Sequence, residues 1–398
     1  MRRSSEPLGR LTAALDEELL TLRDRHVFRE PVIIEASDGA RIRIGGRWVL
    51  NCASNDYLGL SDDARVIRAA QATAMAWGVG AKASRLLAGS TRVHQDLERE
   101  LAQLFQAEAC VVFGSGYLAN LGALHALAND EDFVVVDRLA HASLIDACRA
   151  TRATLRVFHH NDPEHLRAVL RQYPRGRRRL VVTEGLFSMD GDRAPLAELV
   201  RVAESGGACV YLDDAHGVFA TGQRGLGTIE QEGVSVDRVI LMGTLGKALG
   251  AQGGFVVGSE TLIRAVQNRA RTFIYSTALA TPIAAAALEA LRIVREQPEL
   301  RRRLATAVRQ FQASRGTRQP ASHIIPMVVG TSNAALTLAH GLWDRGIFAP
   351  AVRPPTVPEG TARIRISLTT QHTADQLTRC AKALSELSTT RSSRNIRR

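Results

Sequence analysis

Short apolar segments alternate with longer amphipathic stretches through the middle of the chain. The apolar segments, most of them rich in valine, are residues 110–113, 133–136, 155–158, 180–183, 208–212, 239–242 and 254–257. Several are separated by stretches long enough for a helix, such as 162–171 and 195–205. Continuous apolar strands that alternate with helices are typical of a mainly parallel sheet covered on both faces. The pattern therefore predicts a large α/β domain.

The pattern changes on both sides of this block. Before it come a charged helix-like segment, 11–22, and two alternating segments, 40–44 and 47–50, around Gly45-Gly46. After it come helix candidates at 281–295, 300–315 and 332–345 and strand candidates at 324–329 and 362–368. We expect an N-terminal segment, 1–50, that packs on a small C-terminal α+β domain, 291–398, with the large domain between them at 51–290.

Composition places the chain among globular proteins, because 45% of its 398 residues are hydrophobic and 23% are charged. No apolar window is long enough to span a membrane, and the basic start has no apolar core behind it, as a secretory signal would. The five cysteines are scattered without a C-x-x-C pair. We interpret them as buried free thiols of a cytoplasmic protein, with neither disulfides nor a metal site.

The net charge of +11 comes from 51 basic residues, of which only Lys82, Lys247 and Lys382 are lysines. Part of the excess is a basic tail beginning at Arg391, and part is the arginine-rich loop 175–179. A nucleic-acid surface would combine a continuous basic face with interleaved aromatic residues, and only 5% of the residues are aromatic. We therefore expect a solvated tail and no nucleic-acid partner.

Lys247 is the most informative residue, because lysine is so scarce here. It lies in Gly243-Thr244-Leu245-Gly246-Lys247-Ala248-Leu249-Gly250, directly after the apolar segment 239–242. A lysine amid glycines and small apolar residues at a strand end is poorly solvated, and desolvation favours the neutral, nucleophilic amine. Arginine cannot form a Schiff base, so a retained lysine favours that role over a surface lysine in a turn.

Asp213 and His216 follow the apolar segment 208–212, where open α/β sheets bind their ligands. A carboxylate there could bind a metal, accept a ribose hydroxyl or keep a pyridine nitrogen protonated. No further ligands appear at metal-binding spacing. Beside a Schiff-base lysine, the third role fits pyridoxal phosphate, whose phenolic oxygen His216 could reach.

A candidate phosphate site follows the segment 110–113, in Gly114-Ser115-Gly116-Tyr117-Leu118-Ala119. Backbone N–H groups at the start of the helix expected there, to about residue 127, would bind an anion. The same residues match the loose G-x-G-x-x-A dinucleotide fingerprint, with Asp137 downstream, so an NAD-dependent dehydrogenase is the rival hypothesis. That rival gives Lys247 and Asp213 no shared role. His141, after the next strand, is either structural or an aromatic plate on the cofactor ring.

Six ordered motifs resemble the α-oxoamine synthases, a family of pyridoxal-phosphate enzymes. The motifs are residues 55–60, 115–120, 141–143, 184–191, 213–217 and 244–247, and the likeness runs from about residue 11 to 387. The resemblance implies an α/β fold of the fold-type I, aspartate-aminotransferase-like class. It has a mainly parallel sheet in a three-layer αβα large domain, a small α+β domain, and a homodimer with shared active sites.

The resemblance also implies a role for each matching residue. Lys247, Asp213, His216 and His141 are the expected catalytic groups: the Schiff-base lysine, the pyridinium partner, the phenolic-oxygen contact and the stacked ring. The other implied cofactor ligands are Gly116, Tyr117, Ser188, Thr244 and, reaching across the homodimer, Thr277. The implied substrate contacts are Arg23, Asn55, His141, Thr356 and Arg365, with Arg365 on the amino-acid carboxylate and Arg23 at the far end of the acyl chain.

Within that family, residues 349–358, 362–366 and 272–277 are most similar to the branch that serves biotin biosynthesis. This implies condensation of L-alanine with pimeloyl-ACP or pimeloyl-CoA and loss of CO2 and the thiol. Two departures leave an alternative branch open: Gly246 stands where many members have serine, and residues 80–85 replace a glycine-rich loop. That alternative is a glycine C-acetyltransferase-like enzyme or an acyltransferase of secondary metabolism.

Overall fold

The computed structural model describes residues 7–317 and 322–395. Residues 1–6 and 396–398, which hold the basic start and the end of the basic tail, lie outside the described residues. Helix α1 (Pro7–Asp24) comes first, and β1 (Ala36–Asp38), β2 (Arg41–Ile44) and β3 (Arg47–Asn51) then form an antiparallel sheet.

Helices and strands next alternate as the apolar pattern predicts. In chain order they are α2 (Ala64–Trp77), α3 (Arg92–Phe105), β4 (Ala109–Phe113), α4 (Gly116–Leu127), β5 (Phe133–Asp137), α5 (Ala142–Ala150), β6 (Thr154–Phe158), α6 (Pro163–Gln172), β7 (Arg179–Glu184), α7 (Leu196–Ser205), β8 (Cys209–Asp213), α8 (Thr228–Gln231), β9 (Val239–Thr244) and β10 (Gly254–Gly258). Each of the seven apolar segments forms a strand of this block.

The last part of the described chain is mainly helical with short strands. Its elements are α9 (Glu260–Arg269), α10 (Arg271–Ile274), α11 (Thr281–Glu296), α12 (Glu299–Ser314), β11 (Ile324–Gly330), α13 (Ser332–Asp344), β12 (Ile347–Phe348), β13 (Ala351–Val352), β14 (Ala362–Ser367) and α14 (Ala374–Asn395). The helices and strands expected beyond residue 281 are all present, with bounds shifted by one or two residues.

Strands β4 to β10 form one sheet in the order β4-β10-β9-β8-β7-β5-β6. Only β10 runs antiparallel to its neighbours among these described strands, while the other neighbouring pairs are parallel. The carboxyl ends of β4, β5 and β7 to β9 therefore meet at one edge. In an open α/β sheet this is the edge that holds ligands.

Both faces of this sheet are buried. Val135 of β5 packs into one apolar cluster, whereas its neighbours Val134 and Val136 pack into a second cluster on the opposite face. Burial on both faces explains why these strands are continuous apolar runs instead of alternating ones. The helices that cover the two faces complete the three layers that the sequence predicts.

A third apolar cluster joins the beginning and the end of the chain. Leu50 of β3 and the adjacent Cys52 pack with Phe311 of α12 and Ile364 of β14. Strand β12 pairs in parallel with β3, and β11, β14 and β13 form a separate antiparallel sheet. These contacts support the expected packing of the N-terminal segment on the C-terminal part, and the domain boundaries at residues 50 and 290 stay a prediction.

The cysteine prediction needs one correction. Four of the cysteines are buried free thiols, but Cys209 is exposed. It is the first residue of β8, where the strand enters the sheet from a surface turn. In the described part of the chain, every helix is too short or too polar to cross a bilayer.

Candidate active site

The loop that carries Lys247 spans residues 245–253 and joins the antiparallel strands β9 and β10 as a hairpin. Thr244 pairs with Gly254 across the hairpin, and the Thr244 hydroxyl donates to the Gly253 carbonyl at 2.8 Å. Gly250 has a positive φ of 64°, and a Cβ there would collide with the backbone of Ser61. The hairpin is thus held at both ends and against the chain segment that follows the Asn55 motif. The Thr244 hydroxyl also accepts the Gly246 amide at 3.2 Å and so supports the loop from inside.

The Lys247 amine lies in a line of hydrogen bonds. Its Nζ is 2.7 Å from His216 Nε2, and His216 Nδ1 is 2.6 Å from the Tyr57 hydroxyl. Tyr57 in turn donates to Asn55 Oδ1 at 3.1 Å and accepts from Arg365 Nη2 at 3.2 Å. Because the Tyr57 hydroxyl donates to Asn55, His216 Nδ1 donates to Tyr57, and a neutral His216 then leaves Nε2 free to accept from Lys247.

Burial sets the protonation states of Lys247, His216 and Tyr57. It lowers the pKa of Lys247 to about 8, although the nearby carboxylates of Asp213 and Glu184 oppose the change. Burial and the positive charge of Lys247 hold the pKa of His216 well below its usual value. Burial also raises the pKa of Tyr57 to about 12, against the opposing effect of Arg365. Lys247 is therefore an amine with a substantial neutral fraction near pH 8.

Asp213 is buried at the end of β8 and is fixed by two donors. Asn120 Nδ2 donates to its Oδ2 at 2.7 Å, and the Ala215 amide donates to its Oδ1 at 3.0 Å. Asn120 is itself oriented by the Tyr211 hydroxyl and by Ser143. Asn120 was not among the predicted site residues, although it lies in the same motif as Gly116 and one helical turn further on.

Glu184, at the end of β7, is a second site residue that sequence reasoning missed. Its carboxylate accepts the His141 amide at 2.7 Å and the Ser188 amide at 3.3 Å, so it joins the two segments that carry those residues. Complete burial and the neighbouring Asp213 raise the pKa of Glu184 well above its usual value. The sequence signal that could have identified Glu184 was its place at the end of a predicted strand and at the start of the motif 184–191.

His141 and Ser188 lie on either side of this carboxylate. The His141 ring caps α5, with Nδ1 at 2.7 Å from the Ser143 hydroxyl, and the residue is exposed. Ser188 is buried, and its carbonyl accepts from Arg365 Nε at 2.6 Å. Arg365 also donates from Nη1 to Asn55 Oδ1 at 3.1 Å. Asn55, Ser188 and Arg365 are thus brought together, as the sequence predicts.

The start of α4 presents backbone amides toward the same edge. Ser115 caps the helix by accepting the Leu118 amide at 3.2 Å, which leaves the first-turn amides of Gly116 and Tyr117 outside the helix hydrogen-bond pattern. A Cβ on Gly254 would lie 2.6 Å from Gly116 Cα, so only glycine lets this helix start approach the Lys247 hairpin. The Tyr117 hydroxyl points elsewhere, since it donates to Asp146.

The geometry disfavours the dinucleotide hypothesis. Asp137, which would accept a ribose hydroxyl in that hypothesis, is fully buried. Its carboxylate is already bound by the ring of His160, by the Leu139 amide and by the Asn161 amide. A nicotinamide dinucleotide would find no free carboxylate at this position.

Three predicted residues lie away from this cluster within one chain. Thr277 is exposed and forms an isolated β-bridge with Ser84. The Arg23 guanidinium lies 4.4 Å above the ring of Phe28, and Thr356 accepts from Arg29 at 3.2 Å. No contact of the described residues joins Arg23 or Thr356 to Lys247 or Asp213, and their assignment to the substrate stays a prediction.

The donor set suits one organic cofactor. Among the described residues there is no group of three or more His, Cys, Asp or Glu arranged to bind a metal ion. The partly neutral lysine amine matches an aldehyde, and the fixed, buried carboxylate matches a basic ring nitrogen. The free amides at the helix start match a phosphate. Pyridoxal phosphate carries all three groups, so the residues present fit it.

Known proteins of one family resemble the chain over nearly its whole length. The model of the aminotransferase class I and II family matches residues 47–384. The 8-amino-7-oxononanoate synthase of Alkalilimnicola ehrlichii is 42% identical over 386 residues, which are 95% of this chain and 98% of that protein.

Two solved structures show the same fold. A serine palmitoyltransferase from S. paucimobilis, solved with a bound aldimine of pyridoxal phosphate and myriocin, has a TM-score of 0.90 at 29% identity and covers 97% of this chain and 99% of its own. The 8-amino-7-oxononanoate synthase from Francisella tularensis has a TM-score of 0.75 at 26% identity and covers 86% and 99%, respectively. These neighbours confirm the predicted fold-type I architecture.

Proposed function

This chain belongs to the aminotransferase class I and II family, and on that premise we propose that it is a pyridoxal-phosphate-dependent acyltransferase that forms 8-amino-7-oxononanoate. L-alanine and a pimeloyl thioester, carried on acyl carrier protein or CoA, give 8-amino-7-oxononanoate, CO2 and the free thiol, a step of biotin biosynthesis. The observation that carries the proposal is the Lys247 amine, 2.7 Å from His216 at the sheet edge that Asp213 shares. Relatives of the same length carry that activity in their names.

Each group of the cofactor has a matching residue. Lys247 would hold the aldehyde carbon, Asp213 the ring nitrogen, and His216 the phenolic oxygen. The amides of Gly116 and Tyr117 would hold the phosphate. When bound, pyridoxal phosphate supplies an electron sink for the charge left on an amino acid's Cα. His141, Ser188 and Thr244 complete the predicted cofactor set.

Lys247 is the base of the reaction. Its amine, with a pKa of about 8, is partly neutral at physiological pH and can accept the Cα proton of bound alanine. Asp213, held by Asn120 and the Ala215 amide, keeps a proton on the ring nitrogen through charge and position. The neutral His216 fixes the Lys247 amine between transfers.

Arg365 is the residue we assign to the alanine carboxylate. Its guanidinium is buried and held by the Ser188 carbonyl and Asn55 Oδ1, so it is already oriented before a ligand binds. A planar guanidinium binds a carboxylate through parallel N–H donors. The carboxylate of bound alanine would then replace part of the hydrogen bonding between Arg365 and Asn55.

Arg23 and Thr356 are assigned to the acyl chain. Arg23, in the last turn of α1, contacts Phe28, and the segment after α1 meets the loop 353–359: Arg29 donates to Thr356 Oγ1, and Arg353 donates to the Phe28 carbonyl at 3.0 Å. A terminal carboxylate of a pimeloyl chain suits an arginine in this segment.

A second copy of the chain is the partner we propose for the exposed apolar surface. Helix α1 has no buried residue, and its leucines at positions 8, 11, 15 and 19 are all exposed. Met75, Val79 and Leu87 are each more than 80% exposed, a degree of apolar exposure that marks an interface. Thr277, bridged to Ser84 in this region, would then reach the phosphate site of the other copy. The cytoplasmic location stays a prediction.

The proposal is tested with purified protein and a matrix of substrates. Alanine, glycine and serine are each incubated with pimeloyl, acetyl and palmitoyl thioesters, and mass spectrometry identifies the product while thiol release gives the rate. We expect pyridoxal-phosphate absorbance and the fastest turnover with alanine and pimeloyl thioester. A protein without that absorbance that binds NAD would overturn the proposal, and a preference for serine with palmitoyl thioester would reassign the branch.

A further inference from the structure

A histidine outside the predicted site bridges two carboxylates. His160, just after β6, places Nδ1 at 2.9 Å from Asp137 Oδ1 and Nε2 at 2.8 Å from Asp192 Oδ2. Each ring nitrogen faces a carboxylate oxygen, which accepts but cannot donate when ionised. Both nitrogens must therefore carry a proton, and the ring is an imidazolium. No step of the proposed reaction uses it.

The two carboxylates belong to the segments that carry His141 and Ser188. Asp137 ends β5, four residues before His141, and its side chain also accepts the Leu139 amide at 2.8 Å. Asp192 closes the loop after β7, since its carbonyl accepts the Phe187 amide at 2.9 Å, directly before Ser188. His160 thus joins three strand ends of one sheet edge.

Further contacts surround the His160 bridge. The Phe187 ring stands perpendicular to the imidazole, with centroids 4.4 Å apart. Asn161, in the left-handed region at φ 52°, adds its amide to Asp137 and its side chain to Asp192 at 2.8 Å. The bridge is therefore part of a small cluster of hydrogen bonds and one ring contact instead of a single ion pair.

We propose that His160 is a positioning residue: its doubly bonded imidazolium sets the distance between the His141 and Ser188 segments, and so the fit of the site to its cofactor. This inference rests on the proposed function. Glu184 makes the front connection between the same two segments, to the His141 and Ser188 amides. His160 makes a second connection between them, through the side chains of Asp137 and Asp192.

The charges around His160 support this state. Burial alone would lower the pKa of His160, but the hydrogen bonds and charges of Asp137 and Asp192 outweigh it and raise the pKa to about 10. Other charged groups nearby have partners of their own: Arg193 pairs with Glu232 at 3.0 Å, and His159 lies 3.8 Å from Asp162. Because the folded-state pKa is raised, the stabilisation is complete below the unfolded value near 6.5 and is lost as pH rises toward 10.

The test compares His160→Gln with His159→Gln, a matched change at the exposed neighbouring histidine. A glutamine at 160 carries all its N–H donors on one atom and cannot serve both carboxylates. Measurements are made at a temperature where circular dichroism shows all proteins folded. We expect the Kd for pyridoxal phosphate to rise about tenfold or more and kcat to fall by a similar factor in His160→Gln alone. The fall in apoprotein Tm between pH 7 and 10 should also flatten in that variant.

Each outcome has a clear meaning. If the wild type fails to bind pyridoxal phosphate, the proposed function fails, whatever His160 does. If the wild type binds it and folded His160→Gln binds it equally well with an unchanged kcat, the positioning role is wrong and the residue is only structural. Adding Asp192→Asn to His160→Gln removes a negative charge that the imidazolium no longer balances, and we expect partial recovery of cofactor affinity. A further loss in the double variant would contradict the bridge.

Discussion

The low pKa of the Lys247 amine can be tested by changing pH alone. Burial lowers it from the ordinary value of 10.5 to about 8. With that value the neutral fraction is about 9% at pH 7 and about 91% at pH 9, a tenfold rise. An ordinary lysine would be only about 0.03% neutral at pH 7, roughly 300 times less. The neutral amine is the form that attacks a carbonyl, so reactivity should follow these fractions.

The chain offers its own reference groups, because Lys82 and Lys382 are the only other lysines and both are exposed. Apoprotein is treated briefly with formaldehyde and cyanoborohydride between pH 6.5 and 10.5, and peptide mass spectrometry gives the extent of methylation at each lysine. We expect methylation of Lys247 to rise about tenfold from pH 7 to 9 and then level off. The methylation of an amine with the ordinary lysine value of 10.5 would still be rising at pH 10.

One result would refute the reasoning directly. If methylation of Lys247 keeps rising in parallel with Lys82 and Lys382 beyond pH 10, the amine is an ordinary one. Burial would then not tune it, and the hydrogen bond to His216 would be its only special feature. A Lys247 that stays unmodified at every pH is a different outcome from an ordinary amine. In that case the protein should also fail to take up pyridoxal phosphate.

Three further predictions concern single side chains. Asp213→Asn keeps the shape of the side chain but removes its charge, so kcat should fall at least about 100-fold with circular dichroism unchanged; near-normal turnover would contradict its role. Asp214→Ala leaves the Thr228 amide and hydroxyl without their buried acceptor, and urea unfolding should show a loss of about 1–3 kcal/mol in the free energy of unfolding. Arg23→Ala should raise the KM for pimeloyl thioester about tenfold or more and leave the KM for alanine unchanged; an unchanged pimeloyl KM would move the acyl contact elsewhere.

The strand-end residues were predictable because the topology of a parallel sheet brings them together. Asp213 and Lys247 each follow a continuous apolar strand, and such strands deliver their last residues to one edge. The same reasoning located the helix start at Gly116. The continuous apolar segments alone were enough to predict the seven strands, since burial on both faces removes polar positions from them.

Contacts between distant side chains were not predictable from spacing. Asn120 meets Asp213 across 93 positions, and Tyr57 meets His216 across 159. Which polar side chain faces which depends on the angle at which a helix or loop leaves the sheet, and the apolar pattern does not encode that angle. Residues that act on another copy of the chain, as we propose for Thr277, cannot be located by any contact within one chain.

The hairpin between β9 and β10 has a consequence for how this protein tolerates change. Most loops at the ligand-binding edge join a strand to a helix, and a helix can slide to absorb an added residue. The Lys247 loop instead joins two neighbouring strands in fixed register, Thr244 opposite Gly254, and is pressed onto the backbone of Ser61 at Gly250. An inserted or deleted residue there cannot be taken up by the sliding of a flanking helix, so we expect it to displace the Lys247 amine. In a library of random one-residue insertions, or across divergent lineages, the length of this loop should vary least while the rest of the fold still assembles.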